Sequence, residues 1–278
     1  TALARGASVR LIGDDRQLSS ISAGGILRDL AETTDSATLS QIVRFASASE
    51  AQAGAALRVG DPSGLAFYAD HGRIHVGAQD TAAAMAFDAW REDSEQGLDS
   101  LLLAPTNDVV TDLNAQARLW RLARAATDPD TEQSSQPIME ARPADGLRAS
   151  IGDTVVTKDN DRRLRLGRND FVRNGYRWTV SDVAADGSMT VTHNESDLHM
   201  HLPAGYVRSS VRLGYAATID SAQGATARYR CHTVGHDGLT RQQLYTAVSR
   251  GVHANHIYLS TAEHDPHRIL SPKAPPPD

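Results

Sequence analysis

The stretch Ser100–Arg124, "SLLLAPTNDVVTDLNAQARLWRLAR", constrains the fold most. An unbroken apolar run (Ser100–Ala104) reads as a strand buried on both faces. It passes through a Pro-Thr-Asn turn into a helix from about Asp108 to Arg124. A strand feeding a helix through so short a loop predicts a parallel sheet covered by helices. The same grammar recurs. "SEAQAGAALRVGD" (49–61) and "TAAAMAFDAWRED" (81–93) read as helices. "SVRLI" (8–12) reads as a strand, with a helix near 23–31. "VRLGYAATI", "YRCHTVGH" and "NHIYLS", from Val211 onward, read as strands, and "GLTRQQLYTAVSRG" contains a helix over 240–249.

Between them lies a block with another period. Residues 126–146 are polar, carry three prolines and read as a linker or long loop. From about Ile151 apolar and polar residues alternate, with Asn-Gly at 174–175 and Asp-Gly at 186–187. That pattern predicts a small all-β module of about five strands. Charge is uneven as well. The chain has a net charge of −6, yet 142–177 holds nine Arg or Lys against five Asp. One cysteine, Cys231, excludes an internal disulfide framework and fits a reducing cytoplasm. No 18-residue apolar run predicts a membrane span. The chain opens with a strand already under way, as a piece of something longer would. The tail "SPKAPPPD" reads as disordered.

Three stretches carry candidate chemistry. In "GDDRQL" (13–18), Gln17 follows a strand's carboxyl end, where open α/β sheets bind ligands, and its amide can both donate and accept. The plain alternative is a polar turn. In "YAATIDSAQGAT" (215–226), Gly224 permits close approach of the backbone, and Ser221 and Gln223 add polar groups. In "LYTAVSRG" (244–251), Arg250 closes a helix, where its fork of donors suits a terminal phosphate or, more plainly, the helix dipole.

Their order and spacing resemble the second half of a superfamily-one helicase. Within that superfamily they are most like the RecD-like helicases and the helicase part of conjugative (MobF-type) relaxases such as TraA, TraI and TrwC. "LIGDDRQLSSISAGG" resembles motif III, "LSQIVRFASASEAQAGAALRVGD" the motif IV region, "YAATIDSAQGAT" motif V and "LYTAVSRGVHANHIYL" motif VI. "LLLAPTNDVVTDLNAQAR" resembles the strand and helix that open the second motor domain.

The resemblance implies a RecA-like α/β motor domain with an inserted SH3-like barrel. Residues 1–48 would be the end of motor domain one and the junction. Residues 49–146 would form the first part of motor domain two, 147–210 the insertion, 211–262 the rest of that motor domain and 263–278 the tail. Gln17 would sense the γ-phosphate, with Gly13 and Asp14 beside it. Arg44 and Arg250 would reach into the ATP cleft, with Gly224 in the motif V turn. Thr106, Asn107, Asp220, Ser221, Gln223 and Thr226 would lie along single-stranded DNA.

In the basic stretch, Lys158, Arg162, Arg163, Arg165 and Arg168 read as phosphate contacts or as a solvated hairpin. Phe171, Tyr176 and Trp178 read as stacking groups or as the module's core. The histidines of "HMH" (199–201) read as exposed strand residues rather than metal ligands, and Cys231 as core. No Gly-x-x-x-x-Gly-Lys occurs in the 278 residues. The lysine and Mg²⁺ ligands for ATP are therefore expected upstream of Thr1, and the isolated chain is not expected to hydrolyse ATP efficiently. The expected partners are single-stranded DNA, ATP, the preceding motor domain and conjugative transfer proteins. The rival expectations are a non-catalytic helicase remnant that binds DNA or protein, and a RecD-like repair subunit.

Overall fold

The computed structural model describes residues 3–7, 12, 29–30, 33–34, 37, 44–77, 81–127, 139–168, 170–236 and 238–261. Gly13, Asp14 and Gln17, most of the strand and helix expected over 8–31, the centre of the polar linker and the tail from 263 lie outside the described residues.

The chain builds two sheets. The first is parallel and five-stranded. Its strands are β1 (Ile74–Gly77), β2 (Leu101–Ala104), β10 (Ala216–Thr218), β11 (Arg230–Val234) and β12 (Ala254–Ser260), in the order β1-β12-β11-β2-β10. Strand β2 shows why the all-apolar run was needed. Leu102 and Ala104 pack into one cluster with Ala86, Phe87, Trp90 and Leu113. Leu101 and Leu103 pack into another with Ile219, Cys231 and Ala247. Period-two alternation thus serves two buried faces.

Helices cover both sides. α1 (Ala48–Val59) packs on α2 (Ser63–Asp70) and on α6 (Arg241–Ala247). α3 (Thr81–Glu95) lies on β11 and β12, and α4 (Asn107–Thr127) lies on β2 and β10. Their ends follow from local chemistry. The Ser47 hydroxyl accepts from Glu50 N to open α1, and Gly60 closes it in the left-handed region. Thr240 and Gln243 form a capping box at α6. The short helix α2 and strand β1 had no clear periodicity to announce them.

The second sheet is antiparallel. Its strands are β3 (Thr154–Thr157), β6 (Arg177–Val183), β7 (Met189–His193), β8 (His199–Leu202) and β9 (Val211–Leu213), in the order β8-β7-β6-β3-β9. A hairpin of β4 (Asp161–Arg165) and β5 (Phe171–Val172) stands beside it, and α5 (Ala204–Ser210) leads into β9. Trp178, Val180, Val191, Leu202 and Leu213 fill its interior. The turns fall at Asn174–Gly175 and Asp186–Gly187, where the dipeptides predicted them. The α/β pattern was read as resuming at Val211. Val211–Leu213 instead pairs antiparallel with β3, and only Ala216–Thr218 enters the parallel sheet beside β2.

A buried carboxylate locks the two sheets together. Asp153 Oδ1 accepts from Arg121 Nε (2.7 Å) and the Tyr215 hydroxyl (2.6 Å). Its Oδ2 accepts from Arg118 Nε (3.1 Å) and Ser150 N (2.7 Å). The two arginines lie one turn apart on α4, so this carboxylate of the antiparallel module fixes the module against the parallel sheet's helix.

Candidate functional site

The carboxyl ends of β2 and β10 lie side by side, and each runs into a candidate segment. After β2, Thr106 Oγ1 accepts from Val109 N (3.3 Å) and caps α4, which leaves Thr106 and Asn107 at the solvent-facing first turn. After β10 the chain makes a 3₁₀ turn, Asp220–Ala222. Thr218 Oγ1 donates to Ser221 Oγ (2.9 Å), and Ser221 Oγ donates to Thr218 O (3.1 Å), which closes the turn on itself. Gln243 Nε2 of α6 donates to Asp220 Oδ1 (3.2 Å) and tethers the turn to the capping box. Gly224 sits at φ 91°, a left-handed conformation that favours glycine, and Gln223, Gly224 and Thr226 border solvent.

Arg44 and Arg250 converge although 205 residues separate Arg44 from Ser249. Arg44 Nη1 donates to Ser249 O (2.6 Å), and Arg250 Nη2 donates to Ser249 Oγ (2.8 Å). Arg250 differs from a fork held out at a helix end, because it is fully buried. Its Nε donates to Thr246 O (3.0 Å), one of the last carbonyls of α6, and its Nη1 donates to Ala225 O (3.2 Å) in the β10–β11 loop. The same guanidinium therefore complements the helix terminus and holds the loop after Gly224.

Asn255 fixes the backbone there. Its Oδ1 accepts from Arg250 N (3.2 Å) and Gly251 N (2.7 Å), and its Nδ2 donates to Glu50 Oε1 (2.9 Å). Buried Glu50 is paired at its other oxygen with Arg73 (2.5 Å). Sequence reading missed Glu50 and Asn255. A polar residue in a strand run and a Glu in a helix's first turn look like surface groups until the strand order joins them.

A groove unites other candidates. Asn107, Thr111 and Asn114 of α4 form one wall, Thr218 and Ser221 another, and Lys158, Arg212 and Asp145 of the antiparallel module a third. Asp145 is held by Leu147 N (3.2 Å) and Leu213 N (2.8 Å), and burial pushes its carboxyl above the usual range. Lys158 is pushed down by burial and by the Arg212 charge beside it.

The basic hairpin is separate from this groove and only partly available. Arg163 is spent on Asp161, which it draws down to about 2, and Arg173 pairs with Asp170 (3.0 Å). Arg162 and Arg173 flank the Phe171 ring at 5.6 and 5.0 Å, and Arg165 donates to Arg168 O (3.4 Å). Arg162, Arg165 and Arg168 face solvent. Trp178 is core, with its Nε1 donating to Thr157 Oγ1 (3.3 Å), and Tyr176 packs against it. His193 is buried against both rings, while His199 and His201 are exposed. Cys231 is buried, and burial pushes its thiol up to about 12.

A second polar centre, unforeseen from sequence, lies under α3. Buried Asp93 accepts from Ser100 Oγ (2.5 Å) and Arg230 Nη1 (2.7 Å), and lies 2.9 Å from His232 Nε2. His256 stacks between His232 and His75, with His75 Nε2 3.0 Å from His256 Nδ1.

The family model described as "AAA domain" matches residues 1–79. The conjugal transfer protein TraA of Rhizobium radiobacter is 29% identical over 266 residues, covering 94% of this chain and 23% of the relative. TraA of Agrobacterium fabrum is 28% identical over 249 residues, covering 88% of this chain and 21% of the relative. This chain is similar to a portion of those TraA proteins. It spans less than a quarter of the length of those TraA proteins. An uncharacterised Mycobacterium tuberculosis protein is 32% identical over 114 residues, covering 41% of this chain and 63% of that protein. Among solved structures, a Bacteroides Pif1 bound to single-stranded DNA shares the fold, with a TM-score of 0.50 and 14% identity, over 92% of this chain and 62% of that one. No helix among the described residues is long and apolar enough to cross a membrane.

Proposed function

We propose that this chain forms most of the second motor domain of an ATP-driven DNA translocase or helicase that works within a conjugative relaxase and moves 5′ to 3′ along single-stranded DNA. The antiparallel module is read as the SH3-like insertion, with the domain limits given by the motifs. Arg44 and Arg250 serve the triphosphate end of ATP, with Gly13, Asp14 and Gln17 from motif III and Gly224 from motif V. Thr106, Asn107, Asp220, Ser221, Gln223 and Thr226 border the strand, and Lys158, Arg162, Arg163 and Arg165 contact its phosphates. Mg²⁺ ligands and the phosphate-cradling lysine come from a preceding motor domain, and the work is done in the cytoplasm beside the transfer proteins.

One observation carries this reading. Two arginines from distant segments meet at Ser249, and one of them also grips the loop whose other end, at Ser221, faces the groove. A change at the arginines is thereby tied mechanically to the groove. The half-buried Arg44, held beside the buried Arg250, offers the guanidinium fork that fits an anionic triphosphate. In phosphoryl transfer such a group accelerates the reaction by about 10³–10⁵.

A second reading, a non-catalytic remnant that binds DNA, is favoured by the burial of Arg250 against backbone carbonyls, which is also what a structural arginine does. One experiment separates them. The chain is joined to the motor segment that carries the lysine loop, and ATP hydrolysis is measured with and without oligothymidylate. DNA-stimulated turnover that Arg44→Ala reduces at least ~100-fold supports the motor. Binding of DNA without turnover supports the remnant.

A further inference from the structure

We infer that Lys158 and Arg212 form a two-pronged clamp for a backbone phosphodiester, built across the junction of the two sheets. The inference rests on the single-strand reading above and names the groups that would grip the strand there.

The backbone dictates the placement. β9 pairs with β3 so that Val156 lies opposite Arg212 and Thr157 opposite Val211. Val211 and Leu213 point into the core, so alternation turns Arg212 outward. Lys158 follows directly on β3, and its amide is pinned to Ser210 O (2.7 Å). The two cations therefore project into the same groove. Neither side chain has a hydrogen-bonded or ion-paired protein partner among the described residues.

The neighbouring arginines behave differently. Arg118, Arg121 and Arg148 are each bound to a carboxylate. Asp145, the carboxylate that shares the groove, has one oxygen on Leu147 N and the other on Leu213 N. It offsets part of the charge without capping either cation. Holding two like charges together in a partly desolvated groove is unfavourable unless an anion enters. The lowered pKa of Lys158 reflects that cost.

The opposite wall suits the same guest. It is the first turns of α4, a 21-residue helix whose positive end, with the Asn107 side chain, borders the groove. Phosphates joined in a strand and the phosphates of a free nucleotide share this chemistry. The clamp lies at the β9–β10 link rather than at Ser249, and this favours the strand.

The test uses the 278-residue chain, fluorescent oligothymidylate and a fluorescent ADP analogue, with affinities measured from ~0.05 to ~1 M salt. Lys158→Met with Arg212→Gln removes two phosphate contacts. For a single strand the log–log salt slope should flatten by about 1.4, which makes binding about 25-fold weaker at ~0.1 M salt and nearly unchanged at ~1 M. Lys158→Arg with Arg212→Lys should keep the slope, and thermal melting of both variants should match the parent. An unaltered slope in a folded double variant that still binds oligothymidylate overturns the clamp and leaves the DNA reading intact. Loss of ADP binding instead of DNA binding overturns the strand as guest. If the parent chain has no affinity for oligothymidylate at any salt, the single-strand reading fails and the clamp with it.

Discussion

Arg44 and Arg250 share Ser249, the first through its carbonyl at 2.6 Å and the second through its hydroxyl at 2.8 Å. The two arginines make unequal demands on the fold. Arg250 is fully buried and satisfies Thr246 O and Ala225 O, whereas Arg44 is half-buried. Arg250→Ala should therefore cost about 3 kcal/mol of unfolding free energy, since buried acceptors lose their donor. Arg44→Ala should cost about 1 kcal/mol. Urea melts of the two variants check the ranking, and equal midpoints would contradict it. Arg44 is accordingly the cleaner handle on the proposed ATP turnover, because its loss costs the fold little.

Acid should destabilise the chain earlier than its carboxylates alone predict. His256 is pushed down to about 3, chiefly by burial and then by the His232, His75, Arg73 and Arg230 charges, and burial lowers His75 too. In the unfolded chain both titrate near ~6.5. Between those values the unfolded state holds protons that the folded state refuses, so stability rises with pH. It is fully present above about pH 6.5 and is lost as the pH falls below that. Asp93 works in the same direction at lower pH. Burial alone would raise it, but the His232 and Ser100 hydrogen bonds and Arg230 bring it below the ordinary carboxylate value. Urea midpoints from about pH 7.5 to 5 should fall with a slope approaching about 1.4 kcal/mol per pH unit per histidine. His256→Phe should flatten that slope, and an unchanged slope would remove the histidine row as its source.

The motif-bearing parts of the fold were readable because their signals are local. An apolar run feeding a helix, the helical run over 240–249 and the Asn-Gly and Asp-Gly turns each act over a few residues, and β2, α4, α6 and the module's hairpins follow from them. The candidate site was legible as separate stretches, but its joinery was not. Asn255, Glu50, Asp93 and Asp153 are polar residues that each have a decisive partner 32 to 205 positions away, reachable only once strand order is known. Arg212 went unnoticed for the same reason. In sequence it is one arginine in a strand, and only the β3–β9 register sets it beside Lys158.

The Asp153 hub should behave as a single buried unit with a dispensable rim. Asp153→Ala strands Arg118 and Arg121 and frees the Tyr215 hydroxyl, and should cost about 3–5 kcal/mol. Arg148, which reaches the hub only through Glu140 and is largely exposed, should matter by less than about 0.5 kcal/mol when changed to Ala. Denaturant titrations of the two variants decide this. A mild Asp153→Ala effect would mean that the two sheets hold together without the carboxylate.

Two glycines near the proposed site are required for different physical reasons, and substitution separates them. Gly224 stands at φ 91° with open space where a methyl group would stand, so Gly224→Ala meets only backbone strain, about 1–2 kcal/mol. Gly251 has no such backbone demand. A Cβ there would lie 2.3 Å from Ala254 O and 2.8 Å from Cys231 N, both main-chain atoms that cannot swing aside. Gly251→Ala must push the Gly251 main chain away from the starts of β11 and β12, and should cost about 3 kcal/mol or more. Thermal melts should rank Gly251→Ala well below Gly224→Ala. The reverse order would show that the Arg250 segment does not pack against β11 as described.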